Sequence, residues 1–319
     1  MMILNLVLFL LSLAILLKCA NYAIKYSSRI ARILSMPEFI ISFFIVALIS
    51  ILPEATISII SAFNGEPELG LGTILGSNIA DLTLVLGIIT LFASKEIKVK
   101  SKILKNNFLY VILLFFPILL GFDGTFSRID GLILILLGGV FFARIYTENT
   151  KSYSVYKKDN SEKESLLKIL TFLILSLGIL LASAFYTVKF AVNFAQDIKI
   201  PALLIGLTII ALGTCLPELA FAIKAVRKNH DDLALGDIIG TVIADATIIL
   251  GLVAIISPFS YNPQNIYITG TAMFFFGVLV TVFMKTNKSL SKLEGLLLIF
   301  FYIIFILVEF FVTTMLGIH

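Results

Sequence analysis

The sequence predicts an all-α polytopic membrane protein, with ten transmembrane helices in two inverted five-helix repeats. Three observations carry this prediction. Of 319 residues, 59% are hydrophobic and only 14% are charged, against about 25% charged in soluble globular proteins; the mean hydropathy is +1.07. The apolar residues gather in ten runs long enough for a bilayer. One half of the chain resembles the other at a fixed offset of 164 residues. The composition excludes an ordinary cytosolic enzyme, a disordered protein and a nucleic-acid binder.

The runs fall at about 2–24, 37–63, 69–93, 107–122, 129–146, 166–192, 201–226, 233–257, 265–284 and 293–316. Their length and all-round apolarity favour helices over buried strands. The first run is expected to be a span rather than a cleaved leader, because its first basic residue, Lys18, comes late in the run. Orientation follows from the connections. The odd-numbered ones hold 21 of the 24 Lys and Arg, including Lys25, Arg29, Lys98, Lys102, Lys157, Arg227 and Lys288. The even-numbered ones hold only Arg128, Lys189 and Lys199. The positive-inside rule then predicts a multi-pass protein of the cell membrane with both termini extracellular. The polar stretch 147–165 reads as a cytoplasmic linker between a first five-helix repeat, 1–146, and a second, 166–319. It is too short for a folded sensing domain. Cys19 and Cys215 lie in apolar runs and suggest no disulfide framework. There is no Trp, so interfacial aromatic anchoring falls to Tyr and Phe.

At the 164 offset, Pro37 aligns with Pro201, Ala47 with Ala211, and Leu52-Pro53-Glu54 with Leu216-Pro217-Glu218. Gly72 aligns with Gly236, Gly76 with Gly240, Ile79-Ala80-Asp81 with Ile243-Ala244-Asp245, and Gly87 with Gly251. Residues 37–87 give 20 identities over 51 ungapped positions. Because five spans is an odd number, the second copy enters the membrane from the opposite side, an arrangement typical of secondary transporters.

The repeat carries the chemistry. Glu54, Glu218, Asp81 and Asp245 fall mid-span, where a charge costs at least about 2.5 kcal/mol. No Lys, Arg or His lies at that depth, so neutralising cations or protons must come from outside the protein. Pro53 and Pro217 lack an N–H and free carbonyls near Ile49 and Gly213. Ser50 and Thr214 precede the glutamates by four residues, and Ser77 and Thr241 precede the aspartates likewise, so each shares a helix face with its acid. These are hard oxygen donors suited to Ca²⁺, and Na⁺ can use the same set. Soft metals are poorly served, with Cys215 the only thiol nearby. His230 and His319 fall outside the spans, which leaves no intramembrane His relay. Asp237 is expected near the cytoplasmic mouth of span eight, either attracting cations or serving as an interfacial polar residue. Glu309, with no partner acid at the offset, is expected to be packing or interfacial.

The segments A47-L-I-S-I-L-P-E54 with G72-T-I-L-G-S-N-I-A-D81, and A211-L-G-T-C-L-P-E218 with G236-D-I-I-G-T-V-I-A-D245, resemble the two α-repeats of the cation/Ca²⁺ exchanger superfamily. The resemblance implies a Na⁺/Ca²⁺ exchanger fold. It implies that Glu54 and Glu218 are the core Ca²⁺ ligands, joined by the Ser50 and Thr214 hydroxyls and the Ala47 and Ala211 carbonyls. Ser77 and Thr241 would form flanking Na⁺ sites, with Asp81 and Asp245 lining the cavity, and spans one and six would slide across the core. There are departures. Ile51 stands where the family has a hydroxyl, Cys215 replaces the usual Ser, and Asp81 stands where Asn is common. Ca²⁺ transport survives these changes better than Na⁺ coupling does. The expected activity is Ca²⁺ antiport against Na⁺, with Ca²⁺/H⁺ antiport through the same carboxylates as the alternative and added K⁺ left open. No enzyme activity, cofactor, nucleic acid or protein partner is expected beyond the transported ions and the lipid bilayer. Two rivals fit less well. An intramembrane aspartyl protease using Asp81 and Asp245 lacks its Gly-x-Gly-Asp element and leaves the Pro-Glu pairs unexplained. The third reading is a cation channel, which predicts conductance well above an exchanger's turnover.

Overall fold

The computed structural model describes residues 2–33, 51–99, 109–149, 166–200, 202–227, 229, 231–286 and 289–315. The chain is a mostly helical, multi-pass membrane protein. Its helices are α1 (Met2–Ile33), α2 (Leu52–Phe63), α3 (Pro67–Phe92), α4 (Leu109–Leu120), α5 (Arg128–Asn149) and α6 (Leu166–Ile198). There follow α7 (202–214), α8 (Leu216–Arg227), α9 (231–256), α10 (263–286) and α11 (Lys292–Met315). Among the described residues, seven helical stretches are long and apolar enough to cross a membrane.

The helices track the apolar runs but overshoot them where charges begin. α1 continues past Lys18 to Ile33, α6 runs to Ile198, and α5 extends three residues into the expected linker, to Asn149. Hydropathy marks only the hydrocarbon-facing part of a helix, whereas its hydrogen bonds continue into water. The remainder of the linker, together with Ala47, Ser50, His230 and His319, lies outside the described residues.

The all-α expectation needs one correction. Two antiparallel ribbons of two-residue strands tie distant connections together. β1 (Ile97–Lys98) pairs with β4 (Ser289–Leu290), and β2 (Thr125–Phe126) pairs with β3 (Phe259–Ser260). Two residues are too few to print an alternating pattern in a sequence.

α3 and α9 form the centre, with 83% of their apolar stretches buried, against 28% and 22% for α1 and α6. α1 and α6 pack against each other at the edge. Asn5 donates to Asp197 at 2.7 Å, joining the start of α1 to the end of α6, so the two run antiparallel. Their outer faces present Leu4, Val7, Leu11, Ile174 and Leu181, an apolar surface suited to lipid.

Glycines set the closest crossings. A Cβ on Gly87 of α3 would lie 2.6 Å from the Gly295 carbonyl of α11. The positions 164 later behave alike: a Cβ on Gly251 of α9 would lie 2.7 Å from the Gly131 carbonyl of α5. α3 also meets α7 closely, since a Cβ on Gly76 would lie 2.5 Å from the Leu207 carbonyl. The helix starts match as well. The Ser127 amide and hydroxyl donate to Asp130 at 2.8 and 2.6 Å at the head of α5. Those of Ser291 donate to Glu294 at 2.7 and 2.8 Å at the head of α11. Both are capping boxes, in which side chains satisfy amides the first turn leaves open.

Candidate cation-binding site

Each site carboxylate sits where a helix departs from regular geometry. Glu54 lies in the first turn of α2, just after Ile51 (φ −74°, ψ −3°). Glu218 lies in the first turn of α8, just after Cys215 (φ −71°, ψ −6°). Pro53 and Pro217 hold the second position of these helices, where a missing N–H is tolerated. The interruption expected from Pro217 is therefore a break between α7 and α8. Backbone bonds still run into and out of it, from the Cys215 amide to Ala211 and from the Leu219 amide to Cys215.

Asp81 and Asp245 each open a five-residue π-helical turn, Asp81–Val85 in α3 and Asp245–Ile249 in α9. The Leu86 amide reaches back to the Asp81 carbonyl, and the Leu250 amide to that of Asp245. Such a turn holds an extra residue and re-aims the side chains around it. A threonine in the middle of each supports it. The Thr83 hydroxyl donates to the Ile79 carbonyl at 2.5 Å, and that of Thr247 to Ile243 at 2.6 Å. Hydroxyl bonds to a carbonyl four residues back bend helices. A third π turn, Gly206–Ile210 in α7, has the same device, with Thr208 donating to Leu204 at 2.6 Å.

Glu54, Glu218 and Asp245 are fully buried, and Asp81 is 1% exposed. They lie within electrostatic reach of one another. Among the described residues, no Lys, Arg or His figures among the groups acting on them. Among the described residues, both carboxylate oxygens of Glu54 and Glu218, and one each of Asp81 and Asp245, have no hydrogen-bond partner. Buried polar atoms are nearly always satisfied, so these oxygens call for partners beyond the described residues. The Thr214 hydroxyl lies beside Glu54 and donates to the Ala211 carbonyl at 3.1 Å. That carbonyl also accepts from the Cys215 amide at 3.1 Å. The Ser77 hydroxyl reaches across to Asp245 at 3.4 Å rather than to Asp81 on its own helix, and also donates to Ile74 at 3.1 Å. Thr241 is fully buried on α9.

The structure thus brings together Glu54, Glu218, Asp81, Asp245, Thr214 and Ser77. Among the described residues, no three His, Cys, Asp or Glu side chains form a ready-made metal cluster. A cation held here must complete its shell from hydroxyl and carbonyl oxygens.

Three further residues belong to this region. Asp237, expected at the mouth of its span, is 1% exposed and acts electrostatically on both Asp81 and Glu218. It lies four residues before Thr241 and eight before Asp245, a spacing that puts all three on one helix face and could have identified it. Asn78 is fully buried, donates to the Met273 sulfur at 3.4 Å, and leaves its carbonyl oxygen without a partner. Tyr302 of α11 lies within electrostatic reach of Cys215. Neither of these has a signal in the repeat. Glu309 is 3% exposed, near Thr269 and apart from the four acids.

The model of the sodium/calcium exchanger protein family matches the chain twice, over residues 4–147 and 168–311. The chain belongs to this family. Its members are transporters, and the chain shares their membrane-embedded, multi-pass form. Among relatives, the sodium/calcium exchanger MaX1 of Methanosarcina acetivorans is 27% identical, with 98% of this chain and all of that protein covered. The membrane protein MJ0091 of Methanocaldococcus jannaschii is 31% identical over 95% of this chain and 97% of its own length. Among solved structures, the sodium-calcium exchanger NCX_Mj soaked with 2.5 mM Na⁺ and 10 mM Sr²⁺ superposes with a TM-score of 0.66. It is 29% identical, and the match covers 95% of this chain and 98% of that one.

Proposed function

We propose that this exchanger-family protein is a secondary antiporter that moves Ca²⁺ across the cell membrane in exchange for Na⁺ by alternating access. The observation that carries this is the set of buried carboxylates at two-fold-related positions, with unpartnered oxygens and no cationic side chain acting on them. The glutamate pair supplies a charge of −2, which suits one divalent ion. Thr214, Ser50 and the Ala47 and Ala211 carbonyls complete an oxygen shell of the kind Ca²⁺ takes. The Thr214 hydroxyl keeps its lone pairs for the ion while it donates, but it must turn away from the Ala211 carbonyl to free that oxygen. Ser77, Thr241, Asp81 and Asp245 serve the flanking sites. MaX1 and NCX_Mj, both named as sodium/calcium exchangers, support the choice of ions.

The architecture that goes with this reading has ten spans in two inverted repeats, 1–146 and 166–319, joined by a cytoplasmic linker, with both termini outside. The matched π turns, glycine crossings and capping boxes at the 164 offset support it. The sparse burial of α1 and α6, packed on each other at the edge, suits a pair that slides.

A second reading, Ca²⁺/H⁺ antiport, is favoured by Ile51, which brings no hydroxyl to its break, and by the added acids Asp81 and Asp237. Flux of radiolabelled Ca²⁺ into proteoliposomes under an imposed Na⁺ or pH gradient separates the two. Uptake is expected to follow the Na⁺ gradient. Uptake that follows pH and ignores Na⁺ would establish the second reading in its place.

A further inference from the structure

Cys215 occupies the turn that separates α7 from α8, and its thiol is buried among the site's acids. The groups acting on it are the carboxylates of Asp81, Glu54 and Glu218, and the sulfur lies 3.6 Å from the Ser77 carbonyl. The Tyr302 phenol, which has no hydrogen-bond partner among the described residues, lies within electrostatic reach of Cys215. Both Glu54 and both Glu218 oxygens, fully buried beside it, are unpartnered too. A thiol in this position differs from the oxygen donors around it in one property, softness. It adds little for Ca²⁺ and a strong bond for a thiophilic divalent ion.

We propose that the site also takes thiophilic divalent cations of the Cd²⁺ class, with Cys215 as the ligand that discriminates them from Ca²⁺. The proposal rests on the exchange reading for the location of the site. Cd²⁺ resembles Ca²⁺ in charge and size, so the carboxylates and hydroxyls that suit one admit the other. Binding breaks the S–H bond, forms an S–Cd bond and releases one H⁺ to water, leaving the metal's oxidation state unchanged. The matching position of the first half, Ile51, offers no donor, so the soft contact lies on the second half alone.

The test uses purified protein carrying Cys19→Ser, which leaves one thiol, with Cys215→Ser added as the variant. Cd²⁺ should give a sulfur-to-metal charge-transfer band in the ultraviolet that Cys215→Ser abolishes. Cd²⁺ should also displace Ca²⁺ at a concentration at least about tenfold lower than in Cys215→Ser, the lower end of the change seen when partners of metal ligands are removed. Ca²⁺ binding should change by less than that. Absence of the band with the thiol present, or equal Cd²⁺ competition in the two proteins, overturns the proposal. Absence of Ca²⁺ binding in the Cys215 protein overturns the exchange reading instead, and the band then still decides the Cd²⁺ question.

Discussion

The breaks at Ile51 and Cys215 share a backbone and differ in what they present to the site. Their dihedral angles agree within 3°, each is followed by Leu-Pro-Glu, and each glutamate lies in the first turn of the next helix. One break offers a sec-butyl group and the other a thiol. The same contrast recurs a few residues on. Along α3 the inward face reads Thr73, Ser77, Asp81; along α9 it reads Asp237, Thr241, Asp245. Backbone geometry is held symmetric by proline, glycine and threonine, because both halves must cross and break alike. Ligand chemistry is weighted towards the second half, which carries an extra carboxylate and a sulfur. Under the proposed exchange, an ion at this site would meet matched walls and unmatched charge.

The largest test of this comparison is Glu54→Gln beside Glu218→Gln. If the symmetric core binds the ion, each change should abolish measurable Ca²⁺ binding in calorimetric titration, a loss of at least about 3 kcal/mol. Wild-type affinity in either variant would remove that glutamate from the site and break the symmetry at its centre.

Next come the glycine crossings, which test the symmetric scaffold without touching a donor. Gly87→Ala and Gly251→Ala each drive a methyl group into a carbonyl and an isoleucine on the facing helix, Gly295 with Ile299 and Gly131 with Ile135. Overpacking of this kind destabilises by about 1–3 kcal/mol. Thermal melting in detergent should show similar losses for the two. A rise in melting temperature, as helix propensity alone would give, would mean the helices stand further apart.

These outcomes bear on how much the sequence disclosed. The helix positions were legible because long apolar runs have few other solutions: α3 and α11 begin within two residues of the runs at 69–93 and 293–316. The four acids were legible because charge in hydrocarbon is conspicuous. The π turns were not, since a shift in hydrogen-bond register leaves hydropathy untouched. Thr83, Thr208 and Thr247, each third in its turn, are the trace they leave. Asp237 shares a helix face with Asp245 by its spacing, but its burial beside Asp81 and Glu218 depends on the packing of neighbouring helices, which the spacing does not carry. Asn78 stands within the motif but aligns with Val242, and Tyr302 lies outside the repeat segments, so neither shows up as a shared residue.

Asp237→Thr makes the second face copy the first and so tests the charge asymmetry directly. Removing a carboxylate that acts on Asp81 and Glu218 should weaken Ca²⁺ binding about tenfold, or ~1.4 kcal/mol. That is a smaller loss than either Gln variant gives. Unchanged affinity would mean the ion does not feel the extra charge, and the two halves would be equivalent in function as well as in backbone.

The smallest effect is expected at the helix starts, furthest from the ion. Ser127 and Ser291 make the same amide and hydroxyl bonds to Asp130 and Glu294, differing only in the length of the acid. Ser127→Ala and Ser291→Ala should each lower stability by about 1 kcal/mol, the usual value of a capping serine, and leave Ca²⁺ affinity unchanged. Equal melting losses with intact binding would place these boxes in the symmetric scaffold, separate from the asymmetric chemistry. A loss of affinity at Ser291 but not at Ser127 would show that α11, which carries Tyr302 towards Cys215, transmits its alignment to the site while α5 does not.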